Sequence, residues 1–177
     1  KLTVAAHIYP RRLWAPADGH PDSGFMAVVQ RQWRDVLHPD LFYLGYGVSE
    51  NTLLYKWHVG LMDAEPSLYG LTADGPPAAG RWVHLAGVYD GETGETSLYV
   101  DGVQVAQQSH PGRLRLDLES VARPLAIGAE INGKSLEEPA HAFDGYIDEV
   151  RLYGRALTAG EISALAADAK ARVGNTA

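Results

Sequence analysis

Apolar and polar positions along this chain change over in short runs, each ended by Gly, Pro, Asn or Asp, the pattern of strands joined by turns. LTVAAHIY (residues 2–9) stops at Pro10, and RRLWAPADGHPDSG (11–24) then reads as a long loop. FMAVVQRQW (25–33), LFYLGYGV (41–48) and LLYKWHVGL (53–61) follow, rich in aromatic and β-branched residues. PSLYGLT runs into the turn ADGPPAAG. RWVHLAGVYD and TSLYVDGVQVAQQ are joined by GETGE, a connection of hairpin length, and LRLDL, PLAIGAEI and FDGYIDEVRLY complete the set. The aliphatic positions of WVHLAGV, with Leu98 and Val100, alternate at period two, which predicts half-buried antiparallel strands. Asp101-Gly102 and Asp90-Gly91 predict tight turns.

One helix is predicted, over 159–173. Thr158-Ala-Gly-Glu161 matches a capping box, Ile162, Leu165, Ala166 and Ala169 fall on one stripe, and Gly174 is a stop signal. Many short strands at turn-sized spacing predict an all-β, antiparallel two-sheet sandwich or jelly roll with one short C-terminal helix. No linker or repeat divides the chain, so residues 1–177 are expected to form one domain.

Bulk composition narrows the function. A net charge of −7 lacks the Lys/Arg surplus that a phosphate backbone needs, so nucleic acid is not an expected partner. No apolar run reaches the roughly 18 residues of a membrane span. Cys is absent, which removes disulfides and thiolate metal sites. The chain opens inside a strand-like run, as expected of a mature protein or an excised module.

Two stretches resemble a known family. RWVHLAGVYDGETGETSLYVDGVQVA (81–106) resembles the central hairpin of the laminin-G-like jelly roll, part of the concanavalin A-like lectin and glucanase superfamily. PLAIGAE (124–130) and FDGYIDEVRLYGRALTAGEISAL (143–165) resemble its closing strand and the turn after it. The resemblance implies that Trp82 belongs to the core. It also implies a segment pairing beside the last strand, expected upstream of Lys1. Where the family commonly has Trp in the first strand, this chain has AAHIYP with His7.

Asp144, Asp148 and Glu149 crowd the closing strand. Strand alternation points Asp148 and Glu149 to opposite faces, whereas a retaining glycosidase needs two carboxyls about 5–5.5 Å apart. The superfamily's glucanases place acids at alternate positions, and no such run occurs. Asp63 and Glu65 lead into Pro66, and Glu92/Glu95 and Glu137/Glu138 lie in loops. No nucleophile elbow or phosphate loop is present. A catalytic role is therefore not expected. In related glucanases the Asp of the closing strand holds a Ca²⁺ against the N-terminal segment, so the resemblance implies Asp148 as ligand of a structural Ca²⁺. The residues leave open that Asp148 instead caps backbone N–H groups or pairs with Arg151 or Arg155. His7, His20, His38, His58, His84, His110 and His141 show no metal-ligand spacing.

Aromatic residues are the candidate ligand platforms. Tyr55 and Trp57 share one face of their strand, with Lys56 and His58 on the other, and Tyr43 and Tyr46 face opposite ways. Trp57, Tyr55 and Trp33 are candidate ligand contacts, with core packing as the alternative for each. Trp14 lies in a Pro/Gly-rich loop, as a binding aromatic or as that loop's anchor. The reading is a binding module for a glycan, extracellular or at the cell surface, within a larger protein or appended to an enzyme. The alternatives are an adhesion module with a protein ligand and an enzyme with a different active site.

Overall fold

Residues 1–14, 19, 24–31, 41–61, 67–73, 77–114, 124–131 and 141–174 are described by the computed structural model. Within them the β-forming runs become β1 (Leu2–Pro10), β2 (Phe25–Arg31), β3 (Phe42–Ser49), β4 (Thr52–Leu61), β5 (Ser67–Thr72), β6 (Val83–Asp90), β7 (Glu95–Val100), β8 (Val103–Ser109), β9 (Ala126–Ile127) and β10 (Gly145–Tyr153), with α1 (Ala159–Gly174) after them. The strands pair antiparallel into two sheets, ordered β10-β1-β6-β7-β8 and β5-β4-β3-β2-β9. This is the expected sandwich. Asp101 and Gly102 have φ of 52° and 81°, so β7 and β8 meet through the two-residue turn that their sequence predicts. Glu50 and Asn51, also at positive φ, make an equivalent turn between β3 and β4.

β10 finds its neighbour inside the chain. β1 pairs with it from Thr3↔Tyr153 to Pro10↔Gly145. The register slips between Ala5 and His7, and Glu149 sits at φ 51°. An extra residue in β10 therefore bulges, and the strict alternation expected for Asp148 and Glu149 is broken there. Glu149 turns to Arg151, at 2.5 Å, and Arg151 also reaches Asp168 of α1 at 3.5 Å.

The core closes where the sheets approach most nearly. Trp57, Tyr46, Leu44, Met26 and Leu61 from one sheet meet Val4, Ile8, Leu85, Tyr89 and Leu98 from the other, all fully buried. The Trp57 indole lies against Gly87 so closely that a Cβ at Gly87 would stand 2.1 Å from its Cδ2. Its Nε1 donates to Thr96 Oγ1 at 3.1 Å, satisfying the one polar atom of the ring.

β1 and β6 are buried on both faces, not half-buried as the alternation predicts. On their outer side Ala5, Ala86, Val88 and Tyr99 pack under Leu157 and Ile162. Thr3 Oγ1 fastens that cover, donating to Arg155 O at 2.8 Å and accepting from Leu157 N at 3.0 Å. The capping box forms as expected: Glu161 N donates to Thr158 Oγ1 at 3.3 Å, and Thr158 N donates to Glu161 Oε2 at 2.9 Å. The Arg155 guanidinium first, then the Thr158 amide, hold the Glu161 carboxyl down to about 2. Ile162, Ala166 and Ala169 of the expected stripe are buried. Trp82, expected in the core, is instead half-buried on the outer face, its ring 4.7 Å from His7.

His7 and His84 are registered partners beneath this cover, 1% and 3% exposed. His7 Nε2 and His84 Nδ1 accept or donate no hydrogen bond. Burial lowers both, and with His7 beside it His84 falls to about 4; Asp101 opposes the shift, while Arg151 and Lys170 add to it.

Two outcomes follow from this packing. Gly87→Ala is expected to destabilise the protein by about 2–3 kcal/mol or more in urea melts, because the added methyl overlaps a ring that cannot retreat; a cost below about 0.5 kcal/mol would contradict the contact. For a base kept neutral by the fold, the unfolded chain takes up the proton first. The stability that neutral His84 represents is complete above about pH 6.5, declines as pH falls towards about 4, and is constant below. Melts across that window should show a loss of roughly 3 kcal/mol that His84→Gln largely flattens; an equal slope in the variant would overturn the assignment.

Candidate functional site

Because Trp57 points inward, its neighbours Lys56 and His58 point outward. The pairing register extends that outer face into rows across the strands. Gln30, Tyr43, His58 and Gly70 are successive partners in one row, and Ala27, Gly45, Lys56 and Thr72 in the next, followed by Phe25 with Gly47. Three of these positions are glycine, so large side chains from adjoining rows can lie flat.

Tyr43 folds over Gly45, where a Cβ would meet its hydroxyl at 3.0 Å, and that hydroxyl donates to Tyr46 O at 2.5 Å. Its ring stacks on His58, centroids 5.1 Å apart and 27° between planes. The Lys56 stem crosses Gly47, whose Cβ would lie 2.6 Å from its Cδ, and brings Nζ to 5.1 Å over the Phe25 ring. At the rim the His141 Nδ1 and Glu130 carboxylate are hydrogen-bonded, and the His141 ring stands 5.5 Å from Phe25. His141 O accepts from Ala27 N at 3.1 Å, tying this segment to β2.

These groups enclose a cavity of about 310 Å³ lined by Phe25, Gln30, Tyr43, Lys56, His58, Glu130 and His141. That is within the size range of small-ligand pockets, roughly 300–1,000 Å³. Its lining combines the Tyr43–His58 stack, 2% and 6% exposed, and the Phe25 ring with an amide, an ammonium, a second imidazole and one carboxylate. A single acid held by an imidazole is not the opposed carboxyl pair of a glycosidase.

The residues singled out from sequence lie elsewhere. Trp57 is 0% exposed and Tyr55 is also buried; both are core, because the face they share is the one turned to the other sheet. Tyr55 packs on Tyr46 at 5.2 Å, and its hydroxyl accepts from Ala78 N at 3.4 Å. Trp14 folds back against the core as a loop anchor, its carbonyl accepting from Gly24 N at 3.2 Å and Arg12 lying 5.7 Å above its ring. Trp33 lies outside the described residues. Tyr43 and Tyr46 do face opposite ways.

Asp148 stands on the outer face of the first sheet, registered against His7. Its Oδ1 accepts from Glu149 N at 2.8 Å, while Arg151 and Arg155 go to Glu149 and Glu161. Ca²⁺ takes six to eight oxygens. Among the described residues no group of three or more His, Asp or Glu converges to hold a metal.

The site residues missed by sequence reasoning had a signal. In FYLGYGV and LYKWHVG the small or polar positions, Gly45, Gly47, Lys56 and His58, fall on one face, and Leu44, Tyr46, Tyr55 and Trp57 on the other. The bulkier face is the core.

A family profile described as the concanavalin A-like lectin/glucanases superfamily matches residues 1–163. No curated protein matches the chain at a significant level. Among solved structures it is similar to the CBM40 of the Ruminococcus gnavus IT-sialidase bound to alpha2,6 sialyllactose, with TM-score 0.71 and 14% identity over 93% of this chain and 82% of that one. It is similar to domain 4 of AbnA, a GH43 extracellular arabinanase from Geobacillus stearothermophilus in complex with arabinotriose, with TM-score 0.58 and 19% identity over 94% and 66%. A native heptameric SAP-like pentraxin from Limulus polyphemus gives TM-score 0.61 and 19% identity over 93% and 69%. Among the described residues no helix is long and apolar enough to cross a membrane.

Proposed function

Starting from a chain that belongs to the concanavalin A-like lectin/glucanases superfamily, we propose that it is a noncatalytic carbohydrate-binding module whose ligand occupies the cavity over β2, β3 and β4. The observation that carries this reading is the cavity itself, where the exposed Phe25 ring and the Tyr43–His58 stack adjoin Gln30 and Lys56. Sugar rings have an apolar face that stacks on aromatic surface and a rim of hydroxyls that needs fixed donors and acceptors. This cavity supplies both on rigid strands. The sialidase and arabinanase domains that share the fold support a place within a larger protein or beside a catalytic domain, and the extracellular arabinanase supports an extracellular setting. The lone Glu130, engaged by His141, supports binding without hydrolysis.

A glycan array is expected to return a defined sugar class. Lys56→Ala and His58→Ala should each weaken it about tenfold, the loss of one charged or stacked contact of about 1.4 kcal/mol. Gly47→Ala should do so with little change in melting temperature, since its methyl displaces only the flexible Lys56 stem. Unchanged affinity in all three variants would move the ligand elsewhere, and an array without signal would favour a protein ligand. Nothing in this donor set calls for calcium, so affinity is expected to be the same in EDTA as in millimolar Ca²⁺. Loss of binding in EDTA, measured by calorimetry, would overturn a calcium-free site.

A further inference from the structure

The opposite side of the sandwich carries a second aromatic surface. Trp82, Tyr9 and Tyr146 come from three adjacent strands or their ends, and the register that sets Ile8 against Val83 and Tyr9 against Tyr146 lines them up across the sheet. Their rings stand 5.7 Å and 5.9 Å apart, and His7 backs Trp82. Leu157 and Ile162 cover other positions of this face, so the row stays open, and Tyr146 is 58% exposed. Among the described residues none hydrogen-bonds to the Tyr9 hydroxyl, the Tyr146 hydroxyl or the Trp82 indole N–H, although each ring touches another. Two positions along β10 from Tyr146, Asp148 is exposed, with one oxygen on its own strand's amide.

We infer that this row is a second carbohydrate platform, separate from the cavity and selective for an uncharged sugar chain. The selectivity comes from charge. Arg11, Arg81 and Arg151 are paired to Asp144, Asp101 and Glu149, at 2.6, 2.8 and 2.5 Å, and Lys170 of α1 also acts on His7 behind the row. Asp148, exposed two positions from Tyr146, disfavours a carboxylated or phosphorylated ligand there, while neutral hydroxyls find an acceptor. The rings bind the apolar faces of pyranoses, and their unused O–H and N–H groups meet the hydroxyls. A purely apolar partner would leave those groups and Asp148 dehydrated and unmatched.

The test uses Lys56→Ala/His58→Ala, in which the cavity is disabled, so that failure of the cavity reading and of this one are separate results. Neutral hexasaccharides of glucose, xylose and mannose, with hexagalacturonate as the acidic probe, are titrated while the Trp indole and Tyr ring NMR signals are followed. At least one neutral oligomer is expected to shift the Tyr9, Tyr146 and Trp82 signals, with hexagalacturonate at least tenfold weaker. Tyr146→Ala, at an exposed position, is expected to weaken binding at least tenfold with its melting temperature retained, and Tyr146→Phe to keep most of it. No response to any neutral oligomer at millimolar concentration, equal binding by Tyr146→Ala, or preference for hexagalacturonate would each overturn the inference.

Discussion

The contact between the Trp57 indole and the bare backbone of Gly87 is the constraint from which the arrangement of both sheets proceeds. Strand side chains alternate, so placing one residue of β4 in the interior decides the direction of every other. With the indole turned inward and its N–H spent on Thr96, Lys56 and His58 must face out, and the paired strands carry Tyr43, Gly45 and Gln30 out beside them. The candidate cavity is thus a consequence of how the core is filled. Its glycines act in the same sense, since a side chain at Gly45 or Gly47 would lift Tyr43 or Lys56 off the sheet.

The two sheets use their outer faces differently. The second keeps most of its outer face buried, with the cavity opening at Phe25, Lys56, Glu130 and His141. The first hides its central strands under the segment leading into α1, which makes β1 and β6 doubly buried, with the small residues Ala5 and Ala86 on the covered face. That cover buries the His7–His84 pair, at a cost in stability that grows with acidity. It stops short of Trp82, Tyr9 and Tyr146. A fold with one layer of helix on one sheet therefore offers two open surfaces, facing away from each other.

Those surfaces differ chemically as well as in position. The cavity combines an ammonium and imidazoles with aromatic rings, whereas the aromatic row has Asp148 beside it and its neighbouring arginines already paired. Two sites of opposite charge character on one small module would let it engage two segments of a polymer, or two polymers, at once.

Local rules carried the strands, the Asp101-Gly102 turn and the Thr158–Glu161 cap a long way, because each depends on neighbours a few residues apart. Alternation likewise separated Tyr55 and Trp57 from Lys56 and His58. Bulk leans towards the Tyr55–Trp57 face as the inner one, but Tyr43 on the other face keeps the choice from being settled locally. That choice belongs to Gly87, thirty positions away along the sequence and in contact only after folding. The same holds for β1 beside β10, for the bulge at Glu149, and for the row of Trp82, Tyr9 and Tyr146: each joins segments distant in the chain, and only packing brings them within reach.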